Sequence, residues 1–148
     1  MPGTVFCQTT FLTKVKVGLR GARVRSEGKA GNGRRQMTEE VRVDAKTPIV
    51  ADLASMTEVA DKGIVSKSIV ENEHHKIIHF TLAPGQELSE HTASVPAVIQ
   101  ILDGAGTVVL DGVEYEAGKG RLFYMPADLK HAVRAEGELV FLLTMFRT

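Results

Sequence analysis

The sequence predicts an all-β domain, a sandwich or a barrel of short strands, on three observations. From residue 64 onward, short apolar runs follow one another at close spacing, and turn residues separate them. Almost no stretch in this part of the chain has the period of about 3.6 residues that indicates a helix. Asp111-Gly112 stands between two apolar runs, and this pair favours a tight hairpin because both positions must tolerate a positive φ. Many short strands with little helix are typical of a sandwich or a barrel.

The bulk composition bounds the class of protein. The chain has 148 residues, of which 43% are hydrophobic, a size that suits one domain with its own core. No run approaches the roughly 18 consecutive apolar residues of a membrane span, so we expect no membrane partner. The single cysteine, Cys7, cannot form an internal disulfide. This fits a reducing compartment, and we expect a cytoplasmic protein.

The zero net charge of the chain hides a division. Residues 1–36 hold eight basic residues and one acidic residue, a net charge of +7, whereas the remainder holds ten basic and seventeen acidic residues, a net charge of −7. Clustered Lys and Arg are compatible with a nucleic-acid tail or an organelle-targeting peptide. The six glycines of the segment favour a poorly ordered extension, followed by a single domain of residues 37–148. Because the acidic body would repel phosphates, we do not expect nucleic acid as a partner.

A short helix is predicted before the strands, within residues 52–58. Ser55 and Glu58 have the spacing of a capping box, and Asp52 would cap an earlier start. Asp61-Lys62-Gly63 then ends the helix. At most two turns fit, so we expect an element that covers a sheet.

The rest of the chain predicts eight strands. Residues 71–73 and Pro84-Gly85 supply the first turns, and two glycine-flanked triplets, 104–106 and 118–120, supply later ones. The predicted strands are 64–70, 75–82, 95–102, 107–110, 113–116, 121–125, 131–134 and 139–146.

Two of these strands are apolar on both faces. Residues 139–146 are apolar at both parities, and residues 76–82 are nearly so. A small closed barrel covers only one face of each strand, so the other face must meet a second layer. We expect that layer to be a second copy of the chain, in a homodimer with sheet-on-sheet contact. The alternative is that the N-terminal region folds over the same face.

Two glycine-led segments, 85–104 and 120–131, resemble the two motifs of the cupin family. The resemblance extends over about residues 64–146 and includes the hairpin between the motifs. It implies a double-stranded β-helix, the jelly-roll barrel of that family, with one short N-terminal helix. The matching positions are Gly85, His91 and Gly104 in the first motif and Gly120, Pro126 and His131 in the second.

The first motif departs from the family pattern at two positions. The family uses three histidines and one glutamate to hold a metal. Here Ala93 stands at the second histidine position and Ala97 at the glutamate position. The resemblance therefore implies a metal site reduced to His91 and His131.

The residues themselves also allow a metal site at this pair. Two imidazoles on neighbouring strands can share one metal, since Zn–N bonds are about 2.0–2.1 Å long. A catalytic metal usually has three protein ligands and an open position, so the pair falls short by one. His79 is the best-placed third ligand, ahead of Glu87, Asp128 and Tyr124. In the other interpretation the two histidines line a pocket and bond to backbone or water.

These features predict a barrel that binds a small organic ligand in an apolar lumen. One divalent metal, Fe, Mn, Ni or Zn, would be weakly held at His91 and His131. The alternative is a metal-dependent cupin enzyme, a dioxygenase or an isomerase with an unrecognised third ligand, or a metal-free enzyme in which one histidine acts as general base. The predicted pocket residues are Ala93, Val95, Ala97, Ile99, Ile101, Tyr124 and Val133.

Overall fold

The computed structural model describes residues 46–58 and 61–147. Within them the chain forms one short helix and seven strands, so the predicted all-β jelly-roll class is confirmed. The basic segment 1–36, its boundary with residue 37, and Cys7 lie outside the described residues. In the described part of the chain, no helix has the length and hydrophobicity to span a bilayer. The elements are α1 Leu53–Met56, β1 Ile64–Glu71, β2 His75–Leu82, β3 Glu87–His91, β4 Ala97–Leu110, β5 Val113–Gly118, β6 Leu122–Met125 and β7 His131–Phe146.

The helix α1 is a single turn. The Asp52 side chain accepts hydrogen bonds from the backbone N–H groups of Ala54 and Ser55, so Asp52 caps the helix. Thr57 is already extended, and the helix therefore ends before residues 61–63. Met56 is buried, and the Lys67 Nζ donates to the Met56 carbonyl over 2.9 Å. These contacts hold the helix against β1, where it covers part of a sheet.

The prediction of eight strands is wrong in two respects. The predicted strands 95–102 and 107–110 form one strand, β4, which begins only at Ala97, and the predicted strands 131–134 and 139–146 form another, β7. The glycines between them allow a bend within a strand and do not form a turn. The strand β3 was not predicted, because its sequence ELSEH is mostly polar and exposed.

The two long strands divide the sheet into two halves. The two ends of β4 pair with β6 and β5, and the two ends of β7 pair with β3 and β2. β4 and β7 also pair with each other along almost their whole length. We call the part built from β1, β2, the end of β7, the start of β4 and β6 the first half-sheet. We call the part built from β3, the start of β7, the end of β4 and β5 the second half-sheet.

The bend between the half-sheets depends on two glycines of β4. Gly104 has a φ of 92°, and a Cβ on it would lie 1.9 Å from the Glu138 carbonyl oxygen. A Cβ on Gly106 would lie 2.2 Å from the Arg134 carbonyl oxygen. Only glycine lets the backbones of β4 and β7 approach this closely. The two half-sheets are thereby folded over one another.

The core lies between the half-sheets. Phe80 of β2 stacks on Phe141 of β7, with ring centroids 5.1 Å apart. We call this enclosed side of the strands the lumen and the opposite side the outer face. Side chains from both half-sheets form one buried cluster there: Leu82, Ala97, Ile99, Ile101, Val108, Ala117, Phe123, Met125, Val133, Ala135, Leu139 and Phe141.

Candidate functional site

His91 and His131 are direct neighbours across the second half-sheet. His91 ends β3, His131 begins β7, and their Cα atoms are register partners. Leu88 of β3 pairs with Val133, and the register shifts between Leu88 and His91. This bulge gives β3 one extra residue, which places His91 on the same side as Leu88 and Val133. Both imidazoles therefore point to the lumen.

The two rings converge. Their centroids lie 4.3 Å apart, and their planes are tilted by 57°. His131 is 6% exposed, whereas His91 is exposed to solvent. The pair thus has one ring inside the barrel and one ring at its opening.

Backbone carbonyls fix the orientation of both rings. The Nδ1 of His91 is 2.7 Å from the Ser89 carbonyl oxygen, and the Nδ1 of His131 is 2.8 Å from the Leu129 carbonyl oxygen. A carbonyl oxygen can only accept, so each Nδ1 carries the proton. In the neutral ring the lone pair is then on Nε2, and this hydrogen-bonding pattern is usual for histidines that bind metals.

His131 is held in its neutral form. Burial lowers the pKa of its imidazole below the ordinary 6.5, and the proximity of His91 acts in the same direction. The hydrogen bond to the Leu129 carbonyl raises the pKa, but by less than burial lowers it. Near neutral pH the Nε2 of His131 is therefore available as a hydrogen-bond acceptor or a metal ligand.

Two loops border the end of the barrel beside the histidines. Residues 92–96 connect β3 to β4, and residues 126–130 connect β6 to β7. The Asp128 N–H donates to the Ala93 carbonyl over 2.7 Å, which joins the loops. Ala93 and Val95 are thus loop residues near the opening. Both were predicted to face the lumen because an unbroken strand alternates its side chains. The chain is not a strand between His91 and Ala97, so that alternation does not apply.

Other predicted pocket residues lie deeper or elsewhere. Ala97, Ile99, Ile101 and Val133 line the lumen, but each is at most 2% exposed and is packed into the core. Tyr124 is 60% exposed and pairs with Val98 on the outer face, since its neighbours Phe123 and Met125 point inward. The structure does not bring Tyr124 near the two histidines.

His79 lies on the outer face, away from the pair. It is 1% exposed, and its Cα partners are Lys67 and Leu142. Phe80, the next residue, points to the lumen, so the His79 ring points the other way. Burial, with a smaller contribution from the Lys67 charge, lowers the pKa of His79. Among the described residues its Nε2 has no hydrogen-bond partner.

The remaining candidate ligands do not complete a set of three. Glu87 lies on the opposite side of β3 and pairs with Arg134 over 3.7 Å. Asp128 lies in the loop, with a φ of 63°. Within residues 46–58 and 61–147, no three His, Cys, Asp or Glu side chains are grouped to hold a metal ion. The donor set at the barrel opening consists of two imidazole nitrogens.

The sequence did not reveal what orients the two rings. The carbonyl groups of Ser89 and Leu129 do so, and no side-chain pattern could have revealed them.

Comparisons with known proteins point to one family. The model of the cupin domain matches residues 78–146. The dimethylsulfoniopropionate lyase DddW of Ruegeria pomeroyi is 36% identical over 55 residues, which are 37% of this chain and 36% of the lyase. The chain thus matches about a third of the length of that curated relative.

Solved structures agree on the fold. An RmlC-like cupin protein of Desulfovibrio desulfuricans has a TM-score of 0.63 and 29% identity, with 68% of this chain and 97% of that chain covered. A conserved Streptococcus pyogenes protein of unknown function, SPY1581, has a TM-score of 0.63 and 24% identity, with 77% and 98% covered. Salicylate 1,2-dioxygenase of Pseudoaminobacter salicylatoxidans has a TM-score of 0.53 and 19% identity over 57% of this chain and 26% of the dioxygenase, a likeness of fold alone.

Proposed function

This chain belongs to the cupin superfamily, and from that premise we propose that the open end of its barrel binds a small organic anion. His91 and His131 would orient the anion, together with a weakly held divalent cation, Fe, Mn, Ni or Zn. The observation that carries this proposal is the convergence of the two rings, 4.3 Å apart, with each Nδ1 occupied by a backbone carbonyl. The Nε2 lone pairs of both rings are then available to bind one cation or one ligand.

The two imidazole nitrogens suit a cation that is bound by the protein and the organic ligand together. Two neutral imidazoles bring no negative charge, and a divalent cation held by them keeps its full charge of +2. The usual protein carboxylate would reduce that charge, but Ala97 stands at its position. A bidentate organic anion, such as a dicarboxylate or a hydroxy acid, would supply both the missing charge and the missing ligands. A bound cation would polarise the oxygens of that anion as a Lewis acid.

The depth of the barrel favours a site at the opening. The lumen beyond the histidines is filled by core side chains such as Ile99, Ile101 and Phe141, each at most 2% exposed. His91, by contrast, is exposed. The ligand would therefore rest on the histidines and on the loops 92–96 and 126–130, with Ala93 and Val95 as its apolar contacts.

Calorimetry with defined probes tests this proposal. Zn²⁺ is titrated into the metal-free protein alone and then in the presence of oxalate, a small bidentate anion. We expect Zn²⁺ to bind at one equivalent and more tightly with oxalate present. Replacement of either His91 or His131 by alanine should weaken the binding by more than about tenfold, which corresponds to 1.4 kcal/mol.

His74→Ala is the matched control. This histidine is 67% exposed and lies beside Glu73, so its loss should leave the binding of both probes unchanged. Equal Zn²⁺ affinity in the wild type and in the His91 and His131 variants would contradict the proposal. Zn²⁺ that stays bound at one equivalent through chelator dialysis would also contradict it, since such affinity requires a complete set of protein ligands.

A second candidate is a lyase acting at the same site. The 36% identity with the dimethylsulfoniopropionate lyase over 55 residues favours it. Elimination from a small acid needs a base that removes a proton, and the neutral Nε2 of His131 is such a base. Turnover of dimethylsulfoniopropionate that is lost in His131→Ala would support this candidate. No turnover by the metal-loaded wild type would exclude that substrate and leave the binding proposal unchanged.

A further inference from the structure

We propose that the ligand of this barrel carries a second carboxylate, which Lys76 and Arg147 bind at the rim of the opening. The inference rests on the proposed function, because the chelating end of the ligand must occupy the two histidines. It narrows the class of ligand to an organic acid with a chelating group at one end and a separate carboxylate at the other.

Lys76 lies on the lumen side of β2. Its Cα partner on β7 is Met145, and Met145 is in turn the partner of Ala97 on β4. Ala97 belongs to the buried core, and Met145 packs against that core. Direct partners on antiparallel strands present their side chains on the same side of a sheet, so Lys76 shares the lumen side with both. Neighbouring strands are about 4.8 Å apart, which places the Cα of Lys76 roughly 10 Å from that of Ala97.

The start of β2 and the end of β3 lie at the same end of the barrel. Residues 83–86 connect the two strands at the bend, where the Gly85 N–H donates to the Ala135 carbonyl over 2.9 Å. Lys76 and His91 are therefore both remote from the bend. β2 and β3 also pair with the same edge of β7, opposite β4, so these two strands face each other across the folded half-sheets.

The loop that follows His91 returns to the same place. The Phe146 N–H donates to the Pro96 carbonyl over 2.9 Å, so the loop 92–96 ends beside the last residue of β7. Phe146 pairs with His75, the neighbour of Lys76. The loop thus connects the histidine pair with the rim on which Lys76 lies.

Lys76 belongs to a cluster with an excess of positive charge, which we call the rim cluster: Glu71, Lys76 and Arg147. The Lys76 Nζ lies 3.0 Å from one carboxylate oxygen of Glu71, and an Arg147 Nη lies 2.9 Å from the other. The hydrogen bonds from Lys76 and Arg147 lower the pKa of Glu71, so its carboxylate is ionised near neutral pH. One carboxylate therefore faces two basic groups, and the rim cluster has a net charge of +1.

The rim cluster has hydrogen-bond donors for a second carboxylate. A lysine ammonium has three N–H donors, of which Glu71 takes one, and an arginine has five. Two of those five reach Glu71 and the Asn72 carbonyl, over 2.9 and 3.0 Å. Lys76 and Arg147 can therefore keep their contacts with Glu71 and still donate to a ligand. Glu71 holds both cations in place before the ligand arrives, which reduces the cost of ordering them.

Partial burial makes this charge effective. The side chains of the rim cluster are 19–35% exposed, so water and salt screen them less than they screen a fully exposed ion pair. The acidic side chains of the neighbouring turn and loops, Glu73, Glu90 and Asp128, are exposed and are screened more strongly.

The charges at the two ends of the opening match a dicarboxylic acid. A divalent cation at His91 and His131 attracts a chelating carboxylate, and the excess charge of the rim cluster attracts one more. A monocarboxylic acid with an apolar tail would leave the donors of the rim cluster in water and gain nothing from them. The ligand is therefore an acid such as malate, whose hydroxy-carboxylate end chelates a cation and whose second carboxylate is separate.

Calorimetry of the full chain with L-malate and L-lactate at one fixed Zn²⁺ concentration tests the inference. Lactate has the same chelating group without the second carboxylate. Each acid is compared between protein variants, so the affinity of Zn²⁺ for the free acid cancels. We expect Lys76→Gln to weaken malate binding by about tenfold, as for the loss of one charged hydrogen bond, and to change lactate binding by less than about twofold. Lys76→Arg, which keeps the charge, should restore malate binding to within about threefold of the wild type.

Lys119→Gln is the matched control. This lysine also has an acidic partner, Asp103 at 3.5 Å, but it is 73% exposed and lies beside the bend, at the other end of the barrel. Its loss should leave the binding of both acids unchanged. If Lys76→Gln does not fold, as judged by circular dichroism, Lys76→Met replaces it, because methionine keeps the apolar stem without the charge.

Three outcomes would overturn the inference: unchanged malate binding in Lys76→Gln, an equal loss for malate and lactate in that variant, or an equal loss of malate binding in Lys119→Gln. An equal loss for both acids would mean that Lys76 only supports the fold around the site. In each of these cases the wild type still binds Zn²⁺ and an acid, so the proposed function stands. A wild type that binds neither Zn²⁺ nor either acid would contradict the proposed function, and this inference with it.

Discussion

His131 and His79 are both almost hidden from solvent, yet their surroundings differ. Each is at most 6% exposed, and burial lowers the pKa of both. His131 has its Nδ1 bound to the Leu129 carbonyl, faces a second imidazole and lies at an open end of the barrel. His79 faces outward beside Lys67, and its Nε2 lacks a partner in the part of the chain that the structure describes.

The difference between these histidines shows what distinguishes a site from a buried polar group. Burial and a lowered pKa occur at both positions, so neither property identifies a site by itself. Three features are specific to His131. Its Nδ1 carries the proton, the ring of His91 lies 4.3 Å away, and His91 is itself exposed to solvent. We expect His79 to affect only the stability of the fold and its dependence on pH.

The largest expected effect is a difference in Zn²⁺ affinity between variants of His131 and His79. His131→Ala should weaken Zn²⁺ binding in the presence of oxalate by more than about tenfold, because one of two protein ligands is lost. His79→Leu, which preserves the volume of the buried side chain, should change the affinity by less than about twofold, as expected for a distant independent position. Isothermal calorimetry measures both. An equal loss in the two variants would remove the distinction.

The next effect concerns the bend that folds the two half-sheets over one another. Gly104→Ala should destabilise the fold by roughly 3 kcal/mol or more, because its Cβ would overlap the Glu138 carbonyl and its φ of 92° would be strained. Gly112→Ala is the control, since its φ is 80° but nothing lies within 4 Å of its Cβ. It should cost only about 1–2 kcal/mol. Urea unfolding measures the difference, and equal costs would show that close approach at the bend is unimportant.

A smaller effect is the contribution of His79 to acid sensitivity. The folded state keeps this ring neutral, and its pKa lies below the ordinary 6.5. Below pH 6.5 the unfolded chain therefore binds more protons than the folded chain, and stability falls as the pH drops through 6.5 towards the folded pKa. His79→Leu should reduce this slope by up to about 1.4 kcal/mol per pH unit. Urea unfolding between pH 5 and pH 8 measures it; an unchanged slope would contradict this account of His79.

The smallest expected effect is at Thr81, which neighbours His79 on the outer face. Thr81 is 2% exposed, and its hydroxyl finds no hydrogen-bond partner in the described ranges. Thr81→Val should therefore be neutral or stabilise the fold by up to about 1 kcal/mol. Thr107→Val, which removes the hydrogen bond to Glu136, should be neutral or slightly destabilising by comparison. Thermal unfolding ranks the two variants, and a clear loss of stability in Thr81→Val would mean that its hydroxyl has a partner.

Much of the fold was predictable because local signals determine it. Asp52 caps the helix, as one of the two predicted helix starts required. Asp111-Gly112 forms the predicted turn between β4 and β5, with φ values of 48° and 80°. Gly104 was predicted to lie in a turn. Glycine is needed there for another reason: the carbonyl of Glu138, 34 residues away in the sequence, lies too close for a Cβ. Contacts between distant strands cannot be read from a local pattern.

The site was predictable only in part. The positions of His91 and His131 followed from the two motifs, but the Nδ1 bonds to the Ser89 and Leu129 carbonyls depend on backbone geometry. Tyr124 lies on the outer face because side chains alternate along β6 and its neighbours Phe123 and Met125 point inward. The prediction of Tyr124 as a pocket residue did not take this alternation into account. His79 lies in a strand that is apolar at both parities, so its face could not be chosen from sequence.

The central claim is that the Nε2 atoms of His91 and His131 form one site. Long-range ¹H–¹⁵N correlation of the imidazole nitrogens during a Zn²⁺ titration tests it most directly. The account predicts that the Nε2 signals of His91 and His131 shift together at the same Zn²⁺ concentration, while their Nδ1 signals stay protonated and His79 is unchanged. Shifts at only one of the two rings, or at different Zn²⁺ concentrations, would contradict it.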